Sequence, residues 1–207
     1  LNRADFIKQS PCSANPTTIS ASGGTSTLSG TASRTGTRTW SSGSTQSLNS
    51  GNQTVTNFSI VSSVTGFSIS GSTVTASSNS STSSRSVRVR GTYGGVNSNE
   101  VTITQSGATT TTTTEYEFSV SPTSLSFTKD GGNQTVSIVS RSRPKYTNDI
   151  NGEVSYGNWS AVSYTASSTN SAFSSTTPTG TGTNSASVSV GVNTGAARSA
   201  TITYTQS

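Results

Sequence analysis

The sequence predicts an all-β protein made of two tandem β-sandwiches, and three observations lead to this fold class. The 207 residues are dominated by Ser, Thr, Gly and Asn, and only 27% are hydrophobic and 9% charged. Thr favours strands, whereas Gly, Asn and Ser favour turns. Short alternations of apolar and polar residues recur along the whole chain. Two stretches also occur twice: GNQTV at 51–55 and 132–136, and TITQS at 102–106, which resembles the closing TITYTQS at 201–207.

These repeats divide the chain into domains of one general type. We expect an N-terminal arm at 1–14, a first sandwich at 15–107 and a second sandwich at 115–207. Between them, ATTTTTT at 108–114 is interpreted as a semi-rigid linker, because β-branched threonines are stiff and favour extended backbone. The alternative is that these threonines simply continue a strand into the second domain.

About seven short strands are expected in each half, separated by turns such as YGGVNSN at 93–99 and KDGGN at 129–133. This number of strands is typical of an immunoglobulin-like sandwich. Alternation predicts that Val87 and Val89 face inward while the arginines beside them face outward. It also places four residues of a later strand on one face: Ala186, Val188, Val190 and Val192.

The net charge of +5 is unevenly distributed. Residues 1–107 carry seven basic and two acidic side chains, whereas residues 115–207 carry five of each. A basic surface can meet nucleic acid, anionic glycans or an acidic protein. We expect no nucleic-acid partner, because the basic residues are sparse and no aromatic residues interleave with them. Since no long apolar run is present, no membrane-spanning helix is expected either.

The N-terminal stretch combines basic and apolar residues in NRADFIKQ, which is interpreted as one helical turn or an extended arm. It lacks the long apolar core of a secretory signal, although a start at Leu1 leaves room for residues upstream. The chain's one cysteine, Cys12, cannot form an internal disulfide. We interpret it as an inert thiol in the arm, and the alternative is a crosslink between copies.

Catalytic and metal-binding chemistry is not expected. The chain has no histidine, which excludes a histidine-based triad and histidine metal ligands, and it has no Asp-rich calcium loop. Glu115 and Glu117 would share one face of a strand, but glycosidase carboxylates normally converge from different segments. We therefore interpret them as a solvated pair and predict a protein that is not an enzyme and needs no cofactor.

Aromatic residues are the remaining candidates for a binding site, because sugar rings stack on exposed Trp and Tyr. We expect Trp40 and Trp159 to be core residues, since each falls on a strand in the middle of its domain. Basic and aromatic residues in or near 141–157 could contact an acidic glycan, and the alternative is a solvated loop. These candidates are Arg141, Arg143, Lys145, Tyr146, Tyr156 and Tyr164.

The second half resembles the BACON family of β-sandwich modules. FSVSPTSLSFTKDGGNQTVSI at 118–138 is similar to the opening of that family, and NTGAARSATITYTQS at 193–207 is similar to its closing strand. The stretch 141–157 departs from the family pattern as an insertion. The first half resembles bacterial Ig-like repeats, in the stretches at 16–40 and 89–107.

Such tandem domains are known from surface proteins of gut bacteria and from structural proteins of phages. The resemblance therefore implies a phage capsid decoration protein, located at the virion surface, with weak glycan or mucin binding. The alternative is a carbohydrate-binding module of a secreted or cell-surface bacterial protein. In the first case the arm would dock to a capsid or other particle protein, and homo-oligomers are compatible with it. The docking candidates are Leu1, Arg3, Phe6, Ile7 and Lys8.

Overall fold

The computed structural model describes residues 2–207, with the side chains of residues 2–6 and of Gln9 outside the described part. The described residues form 22 strands in five sheets and contain no helix, which confirms the predicted all-β class. It follows that this part of the chain has no helix able to cross a membrane. Two compact units are present: the first runs to Thr110 and includes Asn148–Gly152, and the second comprises Thr111–Thr147 and Glu153–Ser207.

The first unit is built from thirteen short strands separated by tight turns. They are β1 (Asn2–Gln9), β2 (Ser13–Asn15), β3 (Thr18–Ile19), β4 (Gly24–Ser29), β5 (Thr31–Thr39), β6 (Thr45–Asn49), β7 (Gln53–Thr54), β8 (Asn57–Ile60), β9 (Phe67–Ser70), β10 (Thr73–Ala76), β11 (Arg85–Tyr93), β12 (Val96–Asn97) and β13 (Val101–Gln105). Gly94 and Gly95, both with positive φ, form the predicted hairpin turn between β11 and β12, where only Gly is free of strain.

Three sheets make up this unit. One has the order β1-β5-β6 with β7 also on β5, the second has the order β2-β4-β10-β9, and the third has the order β12-β11-β13-β3 with β8 on β11. All described pairings in them are antiparallel except β3 with β13. The second and third sheets bury their facing side chains in one core, to which Leu28, Val74 and Ile103 contribute.

Alternation along β11 agrees with the sequence prediction for Val87, Val89 and Arg88, whereas Arg90, predicted to face outward, is half-buried and its Nε is buried. Val87 and Val89 are at most 1% exposed, whereas Arg88 points to solvent and pairs with Glu100. Each fully buried aliphatic side chain of this size stabilises the fold by about 1.5–3 kcal/mol. The thin sandwich therefore depends on a small number of such positions.

The predicted N-terminal arm forms part of the first unit. Residues 2–9 form β1, which is extended and paired with β5 along its whole length, so the helical alternative was wrong. Cys12 lies in the core and is 4% exposed, so its thiol is not placed at the surface where it could crosslink two copies. Among the docking candidates, Lys8 is exposed, whereas Ile7 is half-buried against Gly94. Leu1 and the side chains of Arg3 and Phe6 lie outside the described residues.

The second unit is built from longer strands. They are β14 (Thr110–Ser121), β15 (Gly132–Asn148), β16 (Val154–Tyr156), β17 (Ser160–Ala161), β18 (Ser163–Ser168), β19 (Ser174–Thr176), β20 (Thr179–Thr181), β21 (Asn184–Val190) and β22 (Ile202–Gln206). One sheet has the order β14-β15-β21-β19, with β16 and β17 also on β15, and the other has the order β20-β18-β22. The threonines at 110–114 belong to β14. The sequence left open whether they form a linker or continue a strand, and they continue a strand.

The core of the second unit lies between its two sheets. Val136, Ile138 and Ala186 come from the larger sheet, and Tyr164 comes from the smaller one. Val188 joins them at 4% exposure, but Val192 is 64% exposed because β21 ends two residues earlier. The predicted shared face was therefore right for Ala186 and Val188 and wrong for Val192.

The repeated chain endings have one structural role. In the first unit, the buried amide of Gln105 donates to the carbonyl oxygens of Ser20 (3.0 Å) and Ser77 (2.7 Å). In the second unit, the amide of Gln206 donates to Ser140 Oγ (3.1 Å) and to the carbonyl oxygen of Glu117 (3.2 Å). Each glutamine lies on the closing strand of its unit and donates hydrogen bonds to oxygen atoms of other segments, so that its amide is not left unpaired.

Candidate functional site

The outer face of β15 gathers most of the charged and aromatic residues of the second unit. Residues with even numbers point into the core, as shown by Val136, Ile138 and Ser140, all at most 4% exposed. Residues with odd numbers therefore point outward, because strand side chains alternate. This places Arg141, Arg143 and Lys145 side by side on one face, in the region where the sequence predicted a contact surface.

A β-bulge interrupts the strand that pairs with this part of β15. Lys145 is opposite Tyr156 and Ser142 is opposite Ser160. Two residues of β15 lie between these pairs, but three residues, 157–159, lie between them on the other strand. The partner strand therefore carries one extra residue and is divided into β16 and β17.

Pro144 and Gly157 explain where the bulge occurs. Proline has no backbone N–H, so a regular ladder at this point would lose one hydrogen bond. The chain keeps one bond instead, from the Gly157 N–H to the Pro144 carbonyl oxygen at 2.9 Å. A side chain at 157 would not fit, because a Cβ there would lie 2.5 Å from Pro144 Cγ.

The extra residue turns Trp159 to the outer face. Continuing the pairing of Ser142 with Ser160 by one residue puts Trp159 opposite Arg143, whereas the register before the bulge would put it opposite Ser142 on the core side. Trp159 is consequently half-buried under two arginines, and the prediction of a core tryptophan was wrong.

Cations and rings alternate in a stack on this face, which we call the β15 stack: Arg141, Trp159, Arg143 and Tyr156. The guanidinium carbons of Arg141 and Arg143 lie 4.5 Å and 4.4 Å from the Trp159 ring centroid. Arg143 also lies 3.8 Å from the ring centroid of Tyr156. Contacts of this kind contribute about 0.5–2 kcal/mol each, depending on desolvation. The stack therefore fixes Tyr156 at its end.

Two glutamates of β14 fix the arginines of the β15 stack from the other side. Arg141 Nε donates to Glu117 Oε2 at 2.7 Å, and Arg143 Nε donates to Glu115 Oε2 at 2.5 Å. The sequence interpretation as a solvated pair missed these partners, which only the strand pairing brings together. Each carboxylate is thus bound to one guanidinium and holds that arginine in place on β15.

The structure separates the remaining glycan-contact candidates. Tyr164 is 1% exposed and packs in the core between Phe118 and Tyr204, with ring centroids 6.5 Å and 6.2 Å away, so its selection as a contact was wrong. Tyr146 is half-buried on the opposite face of β15 from Lys145, because the two residues are adjacent in the strand. Alternation alone could have separated them.

Lys145 and Tyr156 form the accessible end of the site. Tyr156 is 45% exposed, and Val154, on the same face, is 40% exposed. Lys145 lies directly across from Tyr156 in the pairing, and among the described residues no carboxylate lies within ion-pair distance of it. An open ring face beside an available cation suits a ligand that has both an apolar face and a negative charge.

Trp40 was also predicted in a core and is instead 40% exposed. It lies at the tip of the β5–β6 hairpin, where its backbone N–H donates to the Ser44 carbonyl oxygen at 2.9 Å. The guanidinium carbon of Arg38 lies 5.9 Å from its ring centroid. Trp40 follows the last residue of β5 and lies in the turn of the hairpin, which is why a position in the middle of the domain did not predict burial.

No family model, curated protein or solved structure matches this chain. The geometry of the β15 stack and the sequence resemblances are the observations that bear on function. The arrangement can hold a flat ring in a fixed position and offer one positive charge beside it. These are the requirements for stacking on a sugar that carries an acidic group.

Proposed function

We propose that this chain is a non-catalytic structural and adhesive protein that contacts glycans through the end of the β15 stack. The observation that carries the proposal is the fixed, half-exposed ring of Tyr156 beside Lys145. A ring already held by Arg143 loses little conformational freedom when a ligand stacks on it. Such preorganisation lowers the entropic cost of binding.

The ligand that fits is a pyranose with a carboxylate or sulfate. The apolar C–H face of the sugar stacks on Tyr156, and the anionic group pairs with Lys145. Arg141 and Arg143 do not supply that charge, because Glu117 and Glu115 already neutralise them. They are positioning residues for the ring, which revises the role that the sequence gave them as direct contacts.

Binding to a panel of immobilised neutral, carboxylated and sulfated glycans tests this proposal. Acidic sugars should bind better than neutral sugars of the same ring structure, and the preference should weaken as salt is added. Lys145→Gln should reduce the preference and keep the weaker binding of neutral sugars. Equal binding of acidic and neutral sugars, or no binding by any member of the panel, would contradict the proposal.

The setting that the sequence resemblances favour is the surface of a phage capsid, on which the protein would be a decoration protein. Polar Ser and Thr side chains cover the outward strand positions, which suits a protein displayed in water. The N-terminal strand β1 lies at the edge of its sheet, and its Lys8 is exposed and available to an acidic particle surface.

Attachment to capsids that lack the protein tests this setting. Lys8→Glu should weaken attachment, and Lys129→Glu, which reverses another exposed lysine, should not. Equal attachment of the two variants would show that Lys8 is not part of the docking surface. This comparison leaves Cys12 and β2 in the folded core, whereas a deletion of residues 1–14 would remove them.

The alternative setting is a secreted or cell-surface bacterial protein that uses the second unit as a carbohydrate-binding module. The resemblance of 118–138 and 193–207 to the BACON family favours it. In that case glycan binding should persist while attachment to capsids is absent. The capsid assay and the glycan panel therefore distinguish the two settings.

A further inference from the structure

The turn between β15 and β16 contains the chain's one Asn-Gly dipeptide, Asn151–Gly152. Both residues are exposed, and Gly152 has a φ of +71°. The Gly152 N–H donates to the Asn148 carbonyl oxygen at 2.9 Å, and Asn148 Oδ1 accepts from the Ile150 N–H at 2.9 Å. No heavy atom lies within 4 Å of the position that a Cβ at 152 would occupy. The turn is thus tight but open to water.

We propose that Asn151 is a site of spontaneous covalent modification, in which its side-chain amide is converted to an acid. The Gly152 nitrogen loses its proton and attacks Asn151 Cγ, so that a Cγ–N bond forms, the Cγ–Nδ2 bond breaks and ammonia leaves. Water then opens the resulting five-membered imide. Attack at Cγ gives aspartate, and attack at the backbone carbonyl carbon gives isoaspartate, in which the chain runs through the side chain.

Local structure distinguishes Asn151 from Asn57 and Asn79. Glycine is the least hindered nucleophile available, since it has no side chain beside the attacking nitrogen and allows the backbone angles of the ring. Asn57, also exposed, is followed by the bulky Phe58. Asn79 is buried, and its amide donates to the carbonyl oxygens of Ser83 and Ser106, both at 3.0 Å.

The turn controls the rate and is itself altered by the product. The Gly152 N–H must leave the Asn148 carbonyl oxygen before it can react, so modification proceeds from the locally opened turn. The product adds a third carboxylate to a turn that already carries Asp149 and Glu153. Isoaspartate also lengthens the backbone by one carbon and removes the geometry of the Gly152–Asn148 hydrogen bond that closes the hairpin.

Incubation of the full chain at mildly alkaline pH, followed by peptide mass mapping, tests the proposal. The peptide with Asn151 should gain the mass of one amide-to-acid conversion, and an isoaspartate-specific methyltransferase should label it. The peptide with Asn57 should stay unchanged, and Asn151→Gln should abolish the gain. A mass gain no faster at Asn151 than at Asn57 would overturn the proposal. A gain seen only in urea would also overturn it, because the folded chain would then be fully protected.

Discussion

The guanidinium carbon of Arg143 lies 3.8 Å from the ring centroid of Tyr156, while the Nε of the same side chain donates to Glu115. This relationship links the partly exposed ion pairs between β14 and β15 to a ring that faces solvent. Because Arg143 is held by Glu115 and by Trp159, its contact with one face of the Tyr156 ring fixes the orientation of that ring. The adhesive role proposed above depends on that fixed orientation.

Truncation of Arg143 should destabilise the second unit more than truncation of an ordinary surface arginine. Arg143→Ala removes two ring contacts and one partly exposed ion pair, and we expect the free energy of unfolding to fall by about 1–3 kcal/mol. Urea unfolding followed by circular dichroism measures the change. Arg88→Ala is the matched control, because Arg88 pairs with Glu100 at the surface and contacts no ring among the described side chains. Equal losses in the two variants would show that the ring contacts contribute nothing.

Removal of the bulge should leave Trp159 on the outer face. In a Trp40→Phe background, deletion of Asn158 leaves two residues between Tyr156 and Ser160, so both pairings are met without a bulge and Trp159 stays opposite Arg143. Acrylamide should then quench Trp159 fluorescence as in the undeleted chain, provided that circular dichroism shows an intact sheet. Asn158→Ala keeps the bulge and should also leave quenching unchanged. If the two strands paired without a bulge, the deletion would reverse the face of Trp159, so a large change in quenching on deletion would contradict the assigned register.

Replacement of Gln105 should destabilise the first unit. Gln105→Leu preserves volume but leaves the carbonyl oxygen of Ser20 and the Nε of Arg85 without their present partner, and each unpaired buried group costs about 1–3 kcal/mol. The change is measured by thermal unfolding. Gln46→Leu, on exposed β6, should change the stability by less than about 0.5 kcal/mol. A similarly small effect of Gln105→Leu would mean that the buried amide is dispensable.

Ionisation of Cys12 should destabilise the first unit at high pH. Burial raises the pKa of the Cys12 thiol above its ordinary value of 9.0, and hydrogen bonds with Ser98 and Gly91 oppose this in part. Since the folded chain holds the proton more tightly, the stabilisation is complete below pH 9 and is lost as the pH rises through the folded-state pKa. Unfolding at several pH values should show this loss in the native chain and not in Cys12→Ala. Parallel pH profiles would contradict it.

Much of the fold could be predicted from local patterns. Alternation in β11 placed Val87 and Val89 in the core, and the Gly94–Gly95 pair predicted the β11–β12 hairpin, because both depend on nearest neighbours in sequence. Cys12 was assigned to an arm instead. Its burial depends on the pairing of β2 with β4, a contact between distant residues that alternation does not reveal.

The sequence predicted the region of the candidate site, but it did not predict which residues hold the ring and which are accessible to a ligand. Arg141, Arg143 and Lys145 were selected correctly as neighbours, since residues two apart on a strand share a face. Trp159 was missed because a one-residue bulge reverses the face of every residue after it. Pro144 carried the available signal, because a proline within a long strand indicates an interrupted partner strand.

The claim that Tyr156 forms the ligand-stacking end of the β15 stack is tested most directly by comparing two exposed tyrosines. Isothermal titration with the best acidic sugar from the glycan panel should give a Kd about tenfold weaker for Tyr156→Ala, or about 1.4 kcal/mol. Tyr116→Ala, which removes a tyrosine that is 60% exposed on β14, should bind like the unaltered chain. Unchanged affinity of Tyr156→Ala, or an equal loss in both variants, would contradict the account.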